Sequence, residues 1–225
     1  MKQWSSTTCI TFKERTDEKA FIYFFVGGSC SSEVGRTGDK QYVSLAPHCW
    51  TAGEVAHEIA HALGFYHEQS RPDRDEYVTI NWNNIVEAEK VNFAKYGPSR
   101  INTLGVPYDY RSLMHLDDKA FSKNGEPTIV PKQAGIQIGQ RESPSALDIK
   151  QMNLLYKCSG DCVDRNQYCR QWASQGYCYS NPDYMIPNCK RSCGTCFSRK
   201  KILILYLDYV RSCSYAGFDV NDELK

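Results

Sequence analysis

The sequence predicts an α+β domain followed by a small disulfide-rich module and a tail. Two apolar, aromatic-rich runs at residues 20–26 and 41–45, each ended by glycine or proline, read as strands. Two stretches with a 3.6-residue apolar period, one after Thr51 and one after Ser145, read as helices. Six cysteines then crowd between Cys162 and Cys196, a length that cannot build an adequate core without cross-links.

In chain order, residues 20–26 are nearly continuously apolar, as expected of a strand buried on both faces, and Gly27-Gly28 end it. The second strand closes at Pro47, and the segment between the two strands holds Gly35 and Gly38. Thr51 can cap a helix while Glu54, three residues on, reaches back in a capping box. Val55, Ile59, Ala62 and Leu63 then form one apolar stripe facing the core. Residues 77–80 read as a short strand, and residues 85–96 carry a helical period through Ile85, Ala88, Val91 and Phe93. Beyond Gly97 the chain reads mostly as loop, with residues 128–130 extended, until Ser145 caps a helix running through Ile149, Met152, Leu155 and Tyr156.

The chemistry is concentrated in residues 57–67. His57 and His61, four apart on a helix, share the face opposite the apolar stripe and can meet one metal ion; Glu58, rotated about 100° from His57, can reach a water on that metal. Gly64 can take a left-handed conformation and end the helix, so that the chain folds back and His67 supplies a third ligand. Three neutral nitrogens at a tetrahedral zinc leave one position open, the arrangement of a catalytic rather than a structural site. A lone helical histidine is ordinarily a surface or core residue, but five fixed positions at about 1/20 each arise by accident in roughly one chain of this length in ten thousand.

This spacing, with the downstream Ser112-Leu113-Met114-His115, is the metzincin pattern of zinc ligands and Met-turn. The flanks, residues 65–75 (FYHEQSRPDRD) and 108–115 (YDYRSLMH), resemble the astacin family of secreted metalloendopeptidases, and the likeness runs over residues 1–158. The resemblance implies a two-lobed domain, a twisted mixed sheet with helices above and an irregular lobe with the C-terminal helix below. It also implies one Zn²⁺ per chain on His57, His61 and His67, Glu58 as catalytic base and acid, and Met114 supporting the metal from beneath. Residues 29–40 would lead into the edge strand that binds extended substrate. Arg141, by the same likeness, would favour an acidic residue just after the cut bond. The cysteine count leaves three pairings open for the four cysteines of this domain; the resemblance implies Cys9–Cys158 and Cys30–Cys49. His48 and His115 are read as structural.

One departure stands out. The family places a tyrosine directly after the Met-turn histidine, as a fifth zinc ligand that swings away to steady the tetrahedral intermediate; here that position is Leu116. Leucine has no donor, and losing one such hydrogen bond costs on the order of 10²–10³ in rate. A zinc-binding pseudoprotease of reduced or no activity is therefore the alternative expectation.

The cysteines at 162, 169, 178, 189, 193 and 196, with Arg170-Gln171-Trp172 and Gly194-Thr195, resemble the ShKT module, which implies pairs Cys162–Cys196, Cys169–Cys189 and Cys178–Cys193 over residues 162–196. The channel-blocking toxins of that family carry lysine-tyrosine where this chain has Asp183-Tyr184; an acid cannot imitate the ammonium, so a substrate- or matrix-docking role is expected over a binding or toxin function. Residues 197–225, which include the odd cysteine Cys213, are expected to be disordered.

Composition fits this reading. Across 225 residues, 27 basic and 26 acidic side chains are interspersed, which excludes a nucleic-acid interface and leaves a protein or peptide as the expected partner. Eleven cysteines point to disulfides and an oxidising, extracellular compartment. No stretch approaches the length of a membrane span, and residues 1–8 lack the apolar core of a signal peptide. The expectation is a secreted chain lacking its first strand, most of its first helix and any propeptide. The family's contact between the mature N-terminus and the glutamate after the third histidine, here Glu68, is accordingly not expected.

Overall fold

The structure, a computed structural model, describes residues 1–158, 163–195 and 201–207. It divides into two compact units, Met1–Phe65 with Glu142–Lys225, and Tyr66–Arg141.

The first unit is built on strands β1 (Ile10–Glu14), β2 (Phe21–Phe25), β3 (Ser31–Ser32) and β4 (Lys40–Ser44), with β7 (Lys201–Leu207) from the far end of the chain. The sheet order is β1-β7-β2-β4-β3, parallel except for β3 against β4. Burial alternates along β2: Ile22 and Phe24 are buried, whereas Tyr23 and Phe25 are half-buried on the opposite face. There Tyr23 packs edge-on against Tyr42 at 5.7 Å, and the Lys40 ammonium lies 3.6 Å above the Tyr23 ring. The strand expected to be buried on both faces is therefore covered fully on one only; amphipathic rings and a lysine stem suit a half-wet surface.

Helix α1 (Lys2–Ser5) anchors the start of the chain through Trp4, which is fully buried. Its indole N–H donates to the Ala56 carbonyl (2.9 Å), and its ring meets Phe65 edge-on. That carbonyl belongs to α2 (Ala52–Ala62), which Thr51 caps by accepting from the Glu54 N–H at 3.2 Å. Ile59, Ala62 and Leu63 face the core. Helix α3 (Ala146–Leu155) opens with a complete capping box between Ser145 and Asp148. It groups with the sheet unit rather than with the irregular stretch, because a disulfide joins Cys158 to Cys9 and the Tyr156 hydroxyl donates to the Leu63 carbonyl at 3.0 Å.

The cysteine-rich module forms α4 (Cys169–Ser174), α5 (Tyr177–Ser180) and α6 (Pro182–Asn188) around disulfides Cys169–Cys189 and Cys178–Cys193, with Met185 and Ile186 filling the space between. Ala146 of α3 packs against this cluster, and Lys150 lies over the Tyr179 ring at 4.3 Å. The implied pair Cys162–Cys196 and the odd Cys213 lie outside the described residues.

The second unit carries a two-stranded antiparallel sheet, β5 (Val78–Ile80) with β6 (Ile129–Pro131), over a core of Val78, Ile85, Phe93, Tyr108, Leu116 and Ile129. Within the helical period read at residues 85–96, Glu87–Phe93 is a 3₁₀ helix. Its tighter turn keeps Phe93 buried but swings Val91 out to 68% exposure, so the apolar positions do not share one face.

Part of the tail is also corrected. The apolar run at Lys201–Leu207 is ordered as β7, because parallel pairing on both sides, from Ile10↔Lys201 to Glu14↔Leu205 and from Ile22↔Leu205 to Phe24↔Leu207, satisfies its backbone. Leu205, 3% exposed, is its buried anchor. Truncating Leu205 to alanine should cost roughly 2–5 kcal/mol in urea unfolding; an unchanged midpoint would remove the strand from the sheet.

Candidate metal centre

The helix end is what brings the ligands together. Gly64 takes φ +106°, the Phe65 N–H donates back to the Ala60 carbonyl (2.9 Å) and the Gly64 N–H to the His61 carbonyl (2.8 Å). These two bonds are the Schellman closure, which requires a left-handed residue at the position glycine occupies. The chain reverses there, and one ring nitrogen from each of His57, His61 and His67 falls within 4.8 Å of the others. His57 and His61 stand edge to face, 4.7 Å between ring centres.

The same turn sets the proton on one ligand. His61 Nδ1 lies 2.7 Å from the Phe65 carbonyl, an acceptor, so the nitrogen must carry the hydrogen, and in the neutral ring Nε2 then holds its lone pair for a metal. Three converging imidazoles, one of them oriented by a backbone carbonyl, fit a zinc ion. Glu58, 4% exposed, follows His57 on the same rigid helix. Cys30, His48 and Cys49 also lie close together, His48 Nε2 being 3.2 Å from the Cys30 sulfur. Those sulfurs are joined in a disulfide and offer no thiolate to a metal.

The profile of the astacin peptidase family matches residues 1–157, and an ShK domain-like profile matches residues 161–196. The chain belongs to the astacin family. It is 37% identical to the zinc metalloproteinase nas-15 of Caenorhabditis elegans over 89% of this chain and 43% of that protein. It is 47% identical to the zinc metalloproteinase dpy-31 of the same organism over 73% of this chain and 29% of that protein. Among solved structures, the high choriolytic enzyme 1 of medaka, Oryzias latipes, a hatching enzyme zinc-protease, superposes with a TM-score of 0.67 at 44% identity, covering 70% of this chain and 79% of that one. The chain spans about half the length, or less, of the curated relatives it matches.

Leu116 is buried at 7% exposure among Val78, Ile85, Phe93, Tyr108 and Ile129. The neighbouring tyrosines do not offer a spare donor in its place. The Tyr108 hydroxyl donates to His115 Nε2 at 2.7 Å and Tyr110 donates to the Tyr77 carbonyl at 2.9 Å. Tyr77 and Tyr108 stack 4.6 Å apart, and burial pushes the Tyr108 phenol well above its usual range, so it keeps its proton.

His115, fully buried, donates from Nδ1 to the Leu116 carbonyl (2.7 Å), which makes Nε2 the acceptor of the Tyr108 bond. Burial lowers its pKa from 6.5 to about 4, with the Arg141 charge adding to the effect. Met114 is 1% exposed, and its carbonyl accepts from the Glu68 N–H at 3.0 Å. Glu68 Oε1 takes the Asp109 N–H at 2.7 Å and the Arg71 guanidinium at 3.2 Å. Arg71, 3% exposed and also bonded to Asp73 and the Val106 carbonyl, was not singled out from sequence, because charged residues ordinarily stay in water. Its place beside Glu68 and Asp73 was the available signal. Arg141 Nη1 donates to the carbonyls of Leu113 (3.0 Å), His115 (2.8 Å) and Gln140 (2.8 Å).

Two outcomes follow for the Met-turn. The unfolded chain protonates His115 near pH 6.5 and the folded chain only near 4, so within that window the unfolded state holds more protons and stability falls as pH falls. Urea midpoints should drop between pH 6.5 and 4, and the drop should be smaller in His115→Asn. Leu116→Tyr should lower stability by about 1–3 kcal/mol, since a larger, hydroxylated side chain enters a filled core; calorimetry on the two proteins would read it.

Proposed function

We propose that this chain is a secreted zinc-dependent endopeptidase, in which His57, His61 and His67 hold the zinc and Glu58 moves the proton. The observation that carries the reading is the convergence of three imidazoles beside a buried carboxylate on the helix that bears two of them. When bound, zinc acidifies a water and polarises the scissile carbonyl. Glu58 takes the proton of the attacking water and passes it to the leaving amine, and its distance from the ligands is held by the helix itself.

Substrate lies extended along β3, the last strand in the sheet order, where unpaired backbone groups can take another strand. The segment after β3 is tied to the ligand helix, for the Gly35 N–H donates to the His61 carbonyl at 2.9 Å. Leu116 has no donor to offer a tetrahedral intermediate, but the family match and the three converging histidines favour an active peptidase over a pseudoprotease. The disulfides support an oxidising compartment, and no helix among the described residues is long and apolar enough to cross a membrane. The exposed rings of Tyr168, Tyr177, Tyr179 and Tyr184 favour a docking role for the cysteine-rich module, on substrate or matrix.

The test is cleavage of an unfolded protein by the purified chain beside Glu58→Gln, with zinc measured in both. Equal zinc, with activity at least about 10²-fold lower in the variant, is expected; equal cleavage by both would sink the assignment of Glu58.

A further inference from the structure

We propose that Arg141 is a positioning residue for His67, acting through the Met-turn; the inference rests on the zinc reading of the three histidines. The loop that carries Arg141 is pressed against the Met-turn. Gln140 Nε2 donates to the Arg111 carbonyl at 2.9 Å, and Arg141 Nη1 donates to those of Leu113 and His115 at 3.0 and 2.8 Å. Gly139, at φ +86°, lies so close to Asp117 that a Cβ there would fall 2.3 Å from the Asp117 Cα. A left-handed backbone and that approach both require glycine, so the loop is built to seat here.

The two carbonyls that Arg141 holds flank Met114. The Met114 carbonyl in turn accepts from the N–H of Glu68, the residue directly after His67, at 3.0 Å. A second tie runs alongside: Leu116 N–H donates to Gln69 Oε1 at 3.3 Å. The segment just past the third ligand is thus hung on the Met-turn, and the Met-turn on Arg141. Its charge is permanent, and the one nitrogen Nη1 reaches both Met-turn carbonyls. Carbonyls left unpaired in this buried turn would pull the loop toward other donors and take His67 with it.

The experiment compares the full chain with Arg141→Gln and Arg141→Lys. It measures zinc affinity by chelator competition, thermal unfolding of the zinc-free proteins, kcat and KM on an unfolded protein, and subsite preference on a peptide library. Expected for Arg141→Gln is a weakening of zinc binding by roughly 10–100-fold, the range typical of groups that orient metal ligands. The zinc-free Tm should fall as well, because buried carbonyls lose a donor; kcat should fall more than KM rises, and Arg141→Lys should recover part of the zinc affinity. Unchanged zinc affinity overturns the proposal, and the accompanying result says in favour of what. A lost preference for acidic residues after the cut bond would make Arg141 a substrate contact, and a lowered zinc-free Tm alone would make it a structural brace. Zinc affinity is read without turnover, so an inactive parent leaves the test intact, while a parent that binds no zinc fails the underlying reading instead.

Discussion

Much of the site depends on one reversal of the backbone. Gly64 adopts a left-handed conformation, and the two hydrogen bonds that close the helix there return the chain in the direction that lets His67 approach His57 and His61. The same turn offers the Phe65 carbonyl to His61 Nδ1, so one short piece of backbone sets both the meeting of the ligands and the tautomer of one of them. A side chain at this position would be strained in that conformation, and the loss would be felt in the geometry of the metal site before it was felt in the helix.

The Met-turn is buried, and several hydrogen bonds hold it. His115 donates to Leu116 and accepts from Tyr108, Met114 accepts from Glu68, and Arg141 serves Leu113 and His115. A turn held at this many points is stiff. It also explains why Tyr108 and Tyr110, close in sequence to the substituted position, do not take over the missing hydroxyl. Each hydroxyl is already committed, and Leu116 has joined the surrounding core. What Leu116 contributes is packing within that core.

Distant parts of the chain are drawn together in the first unit. Trp4 and the Cys9–Cys158 disulfide tie the two ends of the peptidase region to the ligand helix and to α3. β7 arrives from beyond the cysteine-rich module to lie between β1 and β2. Contacts of such long sequence separation are costly to form and are retained here by disulfides and by backbone pairing on both sides of a strand.

By itself the sequence determined the ligand set and the local elements that bear it. Thr51, the apolar stripe, His57, His61 and Gly64 act within a few residues of one another, and helix periodicity, capping and the glycine turn are local physics. Ser145 and Asp148 were legible for the same reason. Tertiary structure decided the rest. Whether Leu116 is an empty position or part of a core depends on Val78, Phe93 and Ile129, far along the chain. The burial of Arg71 depends on acceptors at Val106 and Pro107, and the work of Arg141 on carbonyls at 113 and 115. The order of β7 depends on two strands that lie near the opposite end of the chain. No periodicity reports a long-range backbone acceptor, because carbonyls are present at every residue and only the fold selects which of them a buried donor will meet.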